Sequence, residues 1–136
     1  MTKLPLAVPP VLPPRVLVVE DTAEIRLLIA LILRKTGIEV EQASNGQEAM
    51  ALIETAAQSG HPFHLAVMDI QMPVMDGLET TRRLRAAQFT LPIIALTAQI
   101  APKDQDYCFQ NGFSAYLSKP VTKERLRACV MSFLSP

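Results

Sequence analysis

Five short apolar runs alternate with five stretches of helical periodicity, and this alternation leaves few folds open to the chain. The apolar runs occupy residues 16–19, 38–43, 65–68, 92–96 and 114–117. The helical stretches occupy residues 22–36, 46–57, 77–87, 102–111 and 122–134. Strands that alternate with helices form parallel sheets covered on both faces, and such strands are apolar throughout. The pattern predicts an α/β fold, a doubly wound sheet of five parallel strands with five helices.

The start of the chain differs in composition from the remainder. Residues 1–14 hold five of the eleven prolines, and proline lacks the N–H that helices and central strands need. We predict a proline-rich linker over residues 1–14 and one domain over residues 15–136. A linker in this position indicates that the domain belongs to a longer polypeptide, and an arm that folds back onto the domain is the alternative.

Composition excludes several classes of function. Thirteen basic residues balance thirteen acidic ones without a basic run, so we expect no contact with nucleic acid. The longest apolar run, residues 27–33, is far shorter than the roughly 20 residues that span a bilayer, and no signal peptide is visible. Cys108 and Cys129 form no CxxC pair and indicate reduced thiols. We therefore predict a cytoplasmic domain without membrane contact of its own, with membrane anchoring of the parent chain left open.

Polar side chains follow four of the five predicted strands. Glu20 and Asp21 follow the first strand, Asp69 the third, Thr97 the fourth and Lys119 the fifth. The carboxyl ends of parallel strands share one edge of a sheet, where reactive sites lie. Three carboxylates brought together repel one another unless some are protonated or a cation lies among them. Oxygen ligands suit Mg²⁺, and a carboxylate beside Mg²⁺ and a lysine can act as a nucleophile toward a phosphoryl group.

Four short motifs, in this order, resemble those of response-regulator receiver domains. They are Glu20-Asp21, "MDIQMPVMDG" around Asp69, "ALTA" around Thr97 and "YLSKP" around Lys119. The resemblance extends from residue 15 to about residue 134 and is greatest to receivers of hybrid sensor histidine kinases. It implies a flavodoxin-like sheet with strand order 2-1-3-4-5, the order of the chemotaxis regulator of this family.

The resemblance implies a role for each residue that would contact the phosphoryl group. Asp69 would accept the group, Lys119 would pair with one of its oxygens, and Thr97 would hydrogen-bond to it after transfer. Tyr116 would swing inward with the moving loop, and a static packed aromatic at this position is the alternative. The peptide bond between Lys119 and Pro120 is expected to be cis.

The resemblance also implies a set of metal ligands. Asp21, Asp69 and the backbone carbonyl of Gln71 would bind Mg²⁺ directly, and Glu20 would act through a metal-bound water. Mn²⁺ is expected to substitute for Mg²⁺.

The implied function is that of a phosphoacceptor in two-component or phosphorelay signalling. The domain would take a phosphoryl group from a phosphohistidine onto Asp69 and switch conformation, with a histidine kinase or a histidine-phosphotransfer domain as partner. It would catalyse its own phosphorylation and dephosphorylation without being a turnover enzyme, and its parent chain would be a hybrid histidine kinase. A stand-alone single-domain regulator is the first alternative. An aspartyl-phosphate phosphatase is a remote one, because such enzymes carry a second acid where this chain has Gln71.

The first predicted helix carries apolar residues on more than one face. The residues that we assign to the core stripe are Ile25, Leu28, Ile29 and Ile32. The residues that project away from this stripe are Ala23, Leu27, Ala30 and Leu31. Because exposed apolar patches often mark contacts, we predict that the second group forms a docking surface for the phosphoryl donor or a dimer surface. Burial under the proline-rich segment is the alternative.

Overall fold

The computed structural model describes residues 12–72, 74–98 and 102–134, which form one parallel sheet between two layers of helices. Most of the predicted linker, residues 1–11, lies outside the described residues. The elements, in chain order, are β1 (Arg15–Val19), α1 (Ala23–Arg34), β2 (Glu39–Ala43), α2 (Gly46–Gln58), β3 (Leu65–Asp69), α3 (Gly77–Ala86), β4 (Ile93–Thr97), α4 (Pro102–Gln110), β5 (Ala115–Ser118) and α5 (Lys123–Leu134).

The sheet has the strand order β2-β1-β3-β4-β5, and every neighbouring pair is parallel. This order and the alternation of strands with helices confirm the predicted fold. The strand boundaries differ from the prediction by one residue at several ends. The largest consequence is that Asp69 and Thr97 are the last residues of their strands rather than the first residues beyond them.

The alternation of side chains along the strands divides the core into two halves. One half packs Val16, Val18 and Val67 against α1 and α5. The other half packs Leu17 and Met68 against α2, α3 and α4. Both faces of the central strands are therefore buried, which explains why these strands are apolar throughout their length.

The orientation of α1 differs from the prediction. Its buried residues are Ile29, Ala30 and Leu33, whereas Ile25 and Leu28 are 39% and 57% exposed. The assignment of Ile25 and Leu28 to the core was wrong, and so was the placement of Ala30 on the outer face. A helix with apolar residues on several faces offers more than one inward direction, and the small side chain of Ala30 allows the helix axis to approach the sheet closely.

The start of α3 lies against the end of β3 and so supports the site described below. The N–H of Gly77 donates a hydrogen bond to the carbonyl of Ile70 (2.8 Å). A Cβ atom at Gly77 would lie 2.4 Å from the backbone oxygen of Asp69, so a larger residue would displace this part of the chain. Asp76 begins the helix, and its Oδ1 accepts a hydrogen bond from the N–H of Glu79 (2.8 Å). No helix in the described part of the chain has the length and hydropathy that a bilayer crossing requires.

Candidate functional site

The carboxylate of Asp69 lies at the carboxyl end of the central strand β3 and is 3% exposed. Its Oδ2 accepts a hydrogen bond from Nζ of Lys119 (2.9 Å), and its Oδ1 accepts one from the backbone N–H of Gln71 (3.1 Å). A buried charge is costly unless it is paired and hydrogen-bonded. These two donors explain how the fold accommodates an acid at this position.

Glu20 is a second buried acid at the same edge, with 1% of its surface exposed. Its Oε2 accepts a hydrogen bond from the N–H of Thr22 (3.0 Å), and its Oε1 lies 3.3 Å from Nζ of Lys119. Burial raises the pKa of Glu20, and the nearby Asp21 and Asp69 act in the same direction. The Thr22 N–H and the Lys119 charge oppose this rise only in part. The edge therefore favours additional positive charge.

Lys119 joins the two buried acids. Burial by itself lowers the pKa of Lys119, but its hydrogen bonds to Asp69 and Glu20 and their charges outweigh burial and raise the pKa. The ammonium therefore stays charged at neutral pH. Its backbone N–H donates to the carbonyl of Thr97 (2.8 Å), which joins the ends of β4 and β5, and the bond to Pro120 is cis as predicted.

Three carboxylates form the predicted acidic cluster. Glu20, Asp21 and Asp69 each offer one oxygen, and these oxygens lie within 4.8 Å of one another. No other group of three metal-binding side chains occurs in the described residues. An all-oxygen set of few protein ligands, one of them exposed to solvent, fits Mg²⁺, which retains several waters. The backbone N–H of Gln71 donates to Asp69. The role of the Gln71 carbonyl as a ligand of Mg²⁺ stays a prediction.

Thr97 and Tyr116, the two predicted switch residues, lie on the neighbouring strands β4 and β5. Thr97 ends β4, the strand paired with β3, and is half-buried. Tyr116 on β5 is also half-buried, and the edge of its ring contacts Phe109 of α4 (ring centroids 6.0 Å apart, 63° between planes). The contribution of Phe109 was not predicted, because an aromatic residue on a helix gives no indication of which side chain of the following strand it contacts. The inward movement of Tyr116 stays a prediction.

An apolar groove of about 420 Å³ leads away from the cluster between α1 and the segment that joins β5 to α5. The residues that line it are Ile25, Leu28, Ile29, Ile32, Leu96, Lys119, Pro120, Val121 and Leu126. Leu28 of this groove is exposed, whereas Ala23, Leu27 and Leu31 of the predicted docking surface are exposed but do not line the groove. The groove was missed because one of its walls belongs to the segment between β5 and α5 and to the start of α5, about one hundred residues further along the chain.

The chain is similar to proteins of one family over nearly its whole length. A family model described as "Response regulator receiver domain" matches residues 16–131. The two-component response regulator ORR41 of Oryza sativa subsp. japonica is 39% identical over 121 residues, which are 88% of this chain and 93% of that protein. The osmosensing histidine protein kinase SLN1 of Saccharomyces cerevisiae is 35% identical over 121 residues, but this chain spans only 10% of its length.

Solved structures agree with these sequence relatives. The structure of the Vibrio cholerae chemotaxis protein CheY4, crystallised at low pH, has a TM-score of 0.80 and 31% sequence identity, and the match covers 89% of this chain and 98% of that chain. The Francisella response regulator 1452 receiver domain has a TM-score of 0.81 and 29% identity, with 88% and 95% covered.

Proposed function

The chain belongs to the response regulator receiver family and is a receiver domain of two-component signalling, and from this we propose that Asp69 accepts a phosphoryl group from a phosphohistidine. The observation that supports the proposal best is the arrangement around Asp69. Its buried carboxylate is hydrogen-bonded to Lys119, and two further carboxylates lie within 4.8 Å. This set combines a nucleophile, a fixed positive charge and the oxygen ligands for a divalent cation.

The proposed reaction forms one bond and breaks one bond at phosphorus. A carboxylate oxygen of Asp69 attacks the phosphorus, the P–N bond to the donor imidazole breaks, and its electron pair stays on the imidazole nitrogen. Lys119 moves toward a phosphoryl oxygen and offsets the charge that develops there. When bound by Asp21, Asp69 and the Gln71 carbonyl, with Glu20 acting through water, Mg²⁺ or Mn²⁺ would supply further positive charge to those oxygens.

The proposed switch follows from the charge that transfer adds. A phosphoryl group on Asp69 carries nearly two negative charges where the carboxylate carried one, at the end of β3 and next to Thr97 on the neighbouring strand. The Thr97 hydroxyl donates to that group, and the loop after β4 moves with it. Tyr116 then leaves its contact with Phe109 and turns inward, which changes the position of α4.

The test of the proposal is to label the unmodified protein with a small phosphoryl donor. We expect acetyl phosphate and Mg²⁺ to add one phosphoryl group, measured as the intact mass, and we expect excess EDTA to prevent the addition. Borohydride reduction of the acyl phosphate followed by peptide mass spectrometry should locate the group at Asp69. An adduct located at another residue, or formed equally well in EDTA, contradicts the proposal.

The same experiment distinguishes a phosphatase, the alternative from another class. A phosphatase would release inorganic phosphate continuously in amounts far above that of the protein, whereas a receiver domain gains one group and loses it slowly. Steady release of phosphate from several small phosphomonoesters would favour the phosphatase.

We propose that the histidine-bearing helix of the donor docks in the apolar groove and against the face of α1 that lines it. Direct transfer requires the phosphohistidine to reach Asp69, and Lys119 forms part of both the groove and the phosphoacceptor site. Leu28 lines the groove together with Ile25, and its side chain is 57% exposed. A helix with an apolar stripe would bury these side chains and stay close to the reacting carboxylate.

Leu28→Asp should lower the rate of transfer from the phosphohistidine donor by about 10- to 100-fold, because it places a charge in an apolar contact. Labelling by acetyl phosphate should stay unchanged, because a small donor needs no docking surface. The measurement is the initial rate with each donor under identical conditions.

Leu27→Asp is the matched control, because Leu27 lies on the same helix with nearly the same exposure (55%) but does not line the groove. We expect a smaller effect than that of Leu28→Asp. A larger effect at Leu27 would indicate that the donor docks on the face of α1 that was predicted from the sequence. No effect at either residue would reject docking on α1.

The wider context of the domain is also a proposal. We propose that residues 15–136 are the receiver domain of a hybrid histidine kinase, with residues 1–14 as a linker, and that a stand-alone regulator is the second candidate. The relatives include proteins of both kinds. The chain spans only a small part of each histidine kinase, but it spans almost the whole length of the response regulator ORR41. We place the domain in the cytoplasm, where the ATP that supplies phosphohistidine is made, and homodimerisation is a further candidate association.

A further inference from the structure

We infer that Arg26 is a positioning residue for the two acids of the β1–α1 turn, Glu20 and Asp21, and that it raises the affinity of the acidic cluster for Mg²⁺. The inference rests on the proposed function, since it concerns the metal ligands of the same site. Arg26 extends from the first turn of α1 toward the sheet. Its Nη1 donates to the backbone carbonyl of Glu20 (2.8 Å), and its Nε donates to Oε1 of Gln42 on β2 (3.3 Å).

The carbonyl that Arg26 holds belongs to the peptide unit between the two acids. That unit is planar, so the direction of its C=O fixes one backbone torsion of Glu20 and one of Asp21. The N–H of Glu20 is held separately by the carbonyl of Ala43 (3.1 Å). Both polar backbone groups of Glu20 are therefore hydrogen-bonded, and these bonds restrict the directions in which the Cα–Cβ bonds of the two acids leave the turn.

Few other contacts fix this turn. Thr22, the N-cap residue of α1, makes no side-chain cap hydrogen bond within the described part of the chain, although caps hold the starts of α2 and α3. The side chain of Glu20 accepts from the Thr22 N–H, so one of the two acids is tied to the residue that begins the helix. The conformation of the ligands and the start of the helix therefore depend on one another, and Arg26 holds the peptide unit between them.

The direction in which Mg²⁺ affinity changes when Arg26 is removed distinguishes positioning of the acids from simple charge repulsion. The Arg26 guanidinium is a positive charge beside the acidic cluster, so its charge alone weakens the binding of a cation. If charge were its main effect, removing it would tighten Mg²⁺ binding. If positioning dominates, removing it weakens Mg²⁺ binding in spite of the lost repulsion.

The experiment measures Mg²⁺ affinity by isothermal titration calorimetry in the absence of any phosphoryl donor. We expect Arg26→Ala to raise the Kd for Mg²⁺ by about 10-fold, a loss typical for a residue that orients metal ligands. Arg26→Lys keeps the charge, but lysine cannot bond to both the Glu20 carbonyl and Gln42. We expect this variant to raise the Kd for Mg²⁺ by about threefold, whereas an effect of charge alone predicts no change. Amide hydrogen exchange at Glu20 and Thr22, whose N–H groups are hydrogen-bonded, should become faster in both variants in metal-free protein.

Arg34→Ala is the matched control. Arg34 lies on the same helix and also ties α1 to β2, through a hydrogen bond from Nη2 to the carbonyl of Val40 (3.0 Å), but it lies at the end of α1 away from the acids. We expect it to lower stability without a change in the Kd for Mg²⁺. Equal losses of affinity in Arg26→Ala and Arg34→Ala would indicate a general structural role and overturn the inference.

Two further outcomes are decisive. Unchanged or tighter Mg²⁺ binding in Arg26→Lys overturns the inference, even where Arg26→Ala is too unstable to measure. A wild-type protein that binds no Mg²⁺ and gains no phosphoryl group would instead reject the proposed function, so the two failures can be told apart.

Discussion

Asp69→Asn should abolish phosphoryl acceptance while leaving the fold intact. The amide is nearly the same size as the carboxylate but has no negative charge, is a poor nucleophile and is a weaker ligand for Mg²⁺. The oxygen of asparagine can still accept one of the two hydrogen bonds that Lys119 and the Gln71 N–H donate to Asp69. We therefore expect a folded protein with no adduct after incubation with acetyl phosphate and Mg²⁺, measured as the intact mass.

Asp76→Asn is the appropriate control for this substitution. Asp76 is a second acid of the same loop, and it is the N-cap of α3, a role that asparagine fills equally well. We expect the control to gain one phosphoryl group at the rate of the unmodified protein. An equal adduct on Asp69→Asn and on the control would show that the acceptor is another residue.

Lys119→Met should have the second largest effect, on both phosphorylation and stability. In the proposed reaction Lys119 offsets the charge on the transferred group, and we expect the loss of this donor to lower the rate by about 10²- to 10³-fold. It is also the shared partner of Glu20 and Asp69, whose side chains are almost fully buried. Without it, we expect the metal-free protein to lose about 1–3 kcal/mol of its free energy of unfolding.

That estimate is below the loss for a fully buried pair, because the Lys119 side chain is 29% exposed and solvent screens its charge. Saturating Mg²⁺ should restore part of the lost stability, since the ion binds only the folded cluster. Denaturant unfolding with and without Mg²⁺ measures both effects. Lys123→Met, at an exposed position at the start of α5, should change neither quantity. A Lys119 variant that matches this control would contradict the role given to Lys119.

The composition of the site was predictable because it depends on a short-range pattern and one topological rule. Each functional residue comes at the end of an apolar run, and parallel strands bring those ends to one edge whichever residues form the core. Asp69, Glu20 and Lys119 could therefore be placed together before their contacts were known. The contacts themselves, in which one ammonium joins two buried acids, are seen only in the tertiary structure.

The orientation of α1 could not be predicted in the same way. Its sequence is apolar on several faces, so helical periodicity allows more than one inward direction. The neighbours of the helix decide among them. Leu33 and Ala30 face the sheet, and Leu28 is left beside a groove whose other wall comes from the end of β5 and from α5.

By itself, the sequence determined which strands end in polar residues. It also determined the identity of the acids, the lysine and the hydroxyl that meet at that edge of the sheet. These features depend on the alternation of apolar and helical segments along the chain, which can be recognised from neighbouring residues. Only the tertiary structure decided which face of α1 is exposed and that Arg26 donates a hydrogen bond to the carbonyl of Glu20, between the two acids of the β1–α1 turn. Both are set by packing between residues far apart in the chain, and packing free energy depends on the shapes of all partners at once.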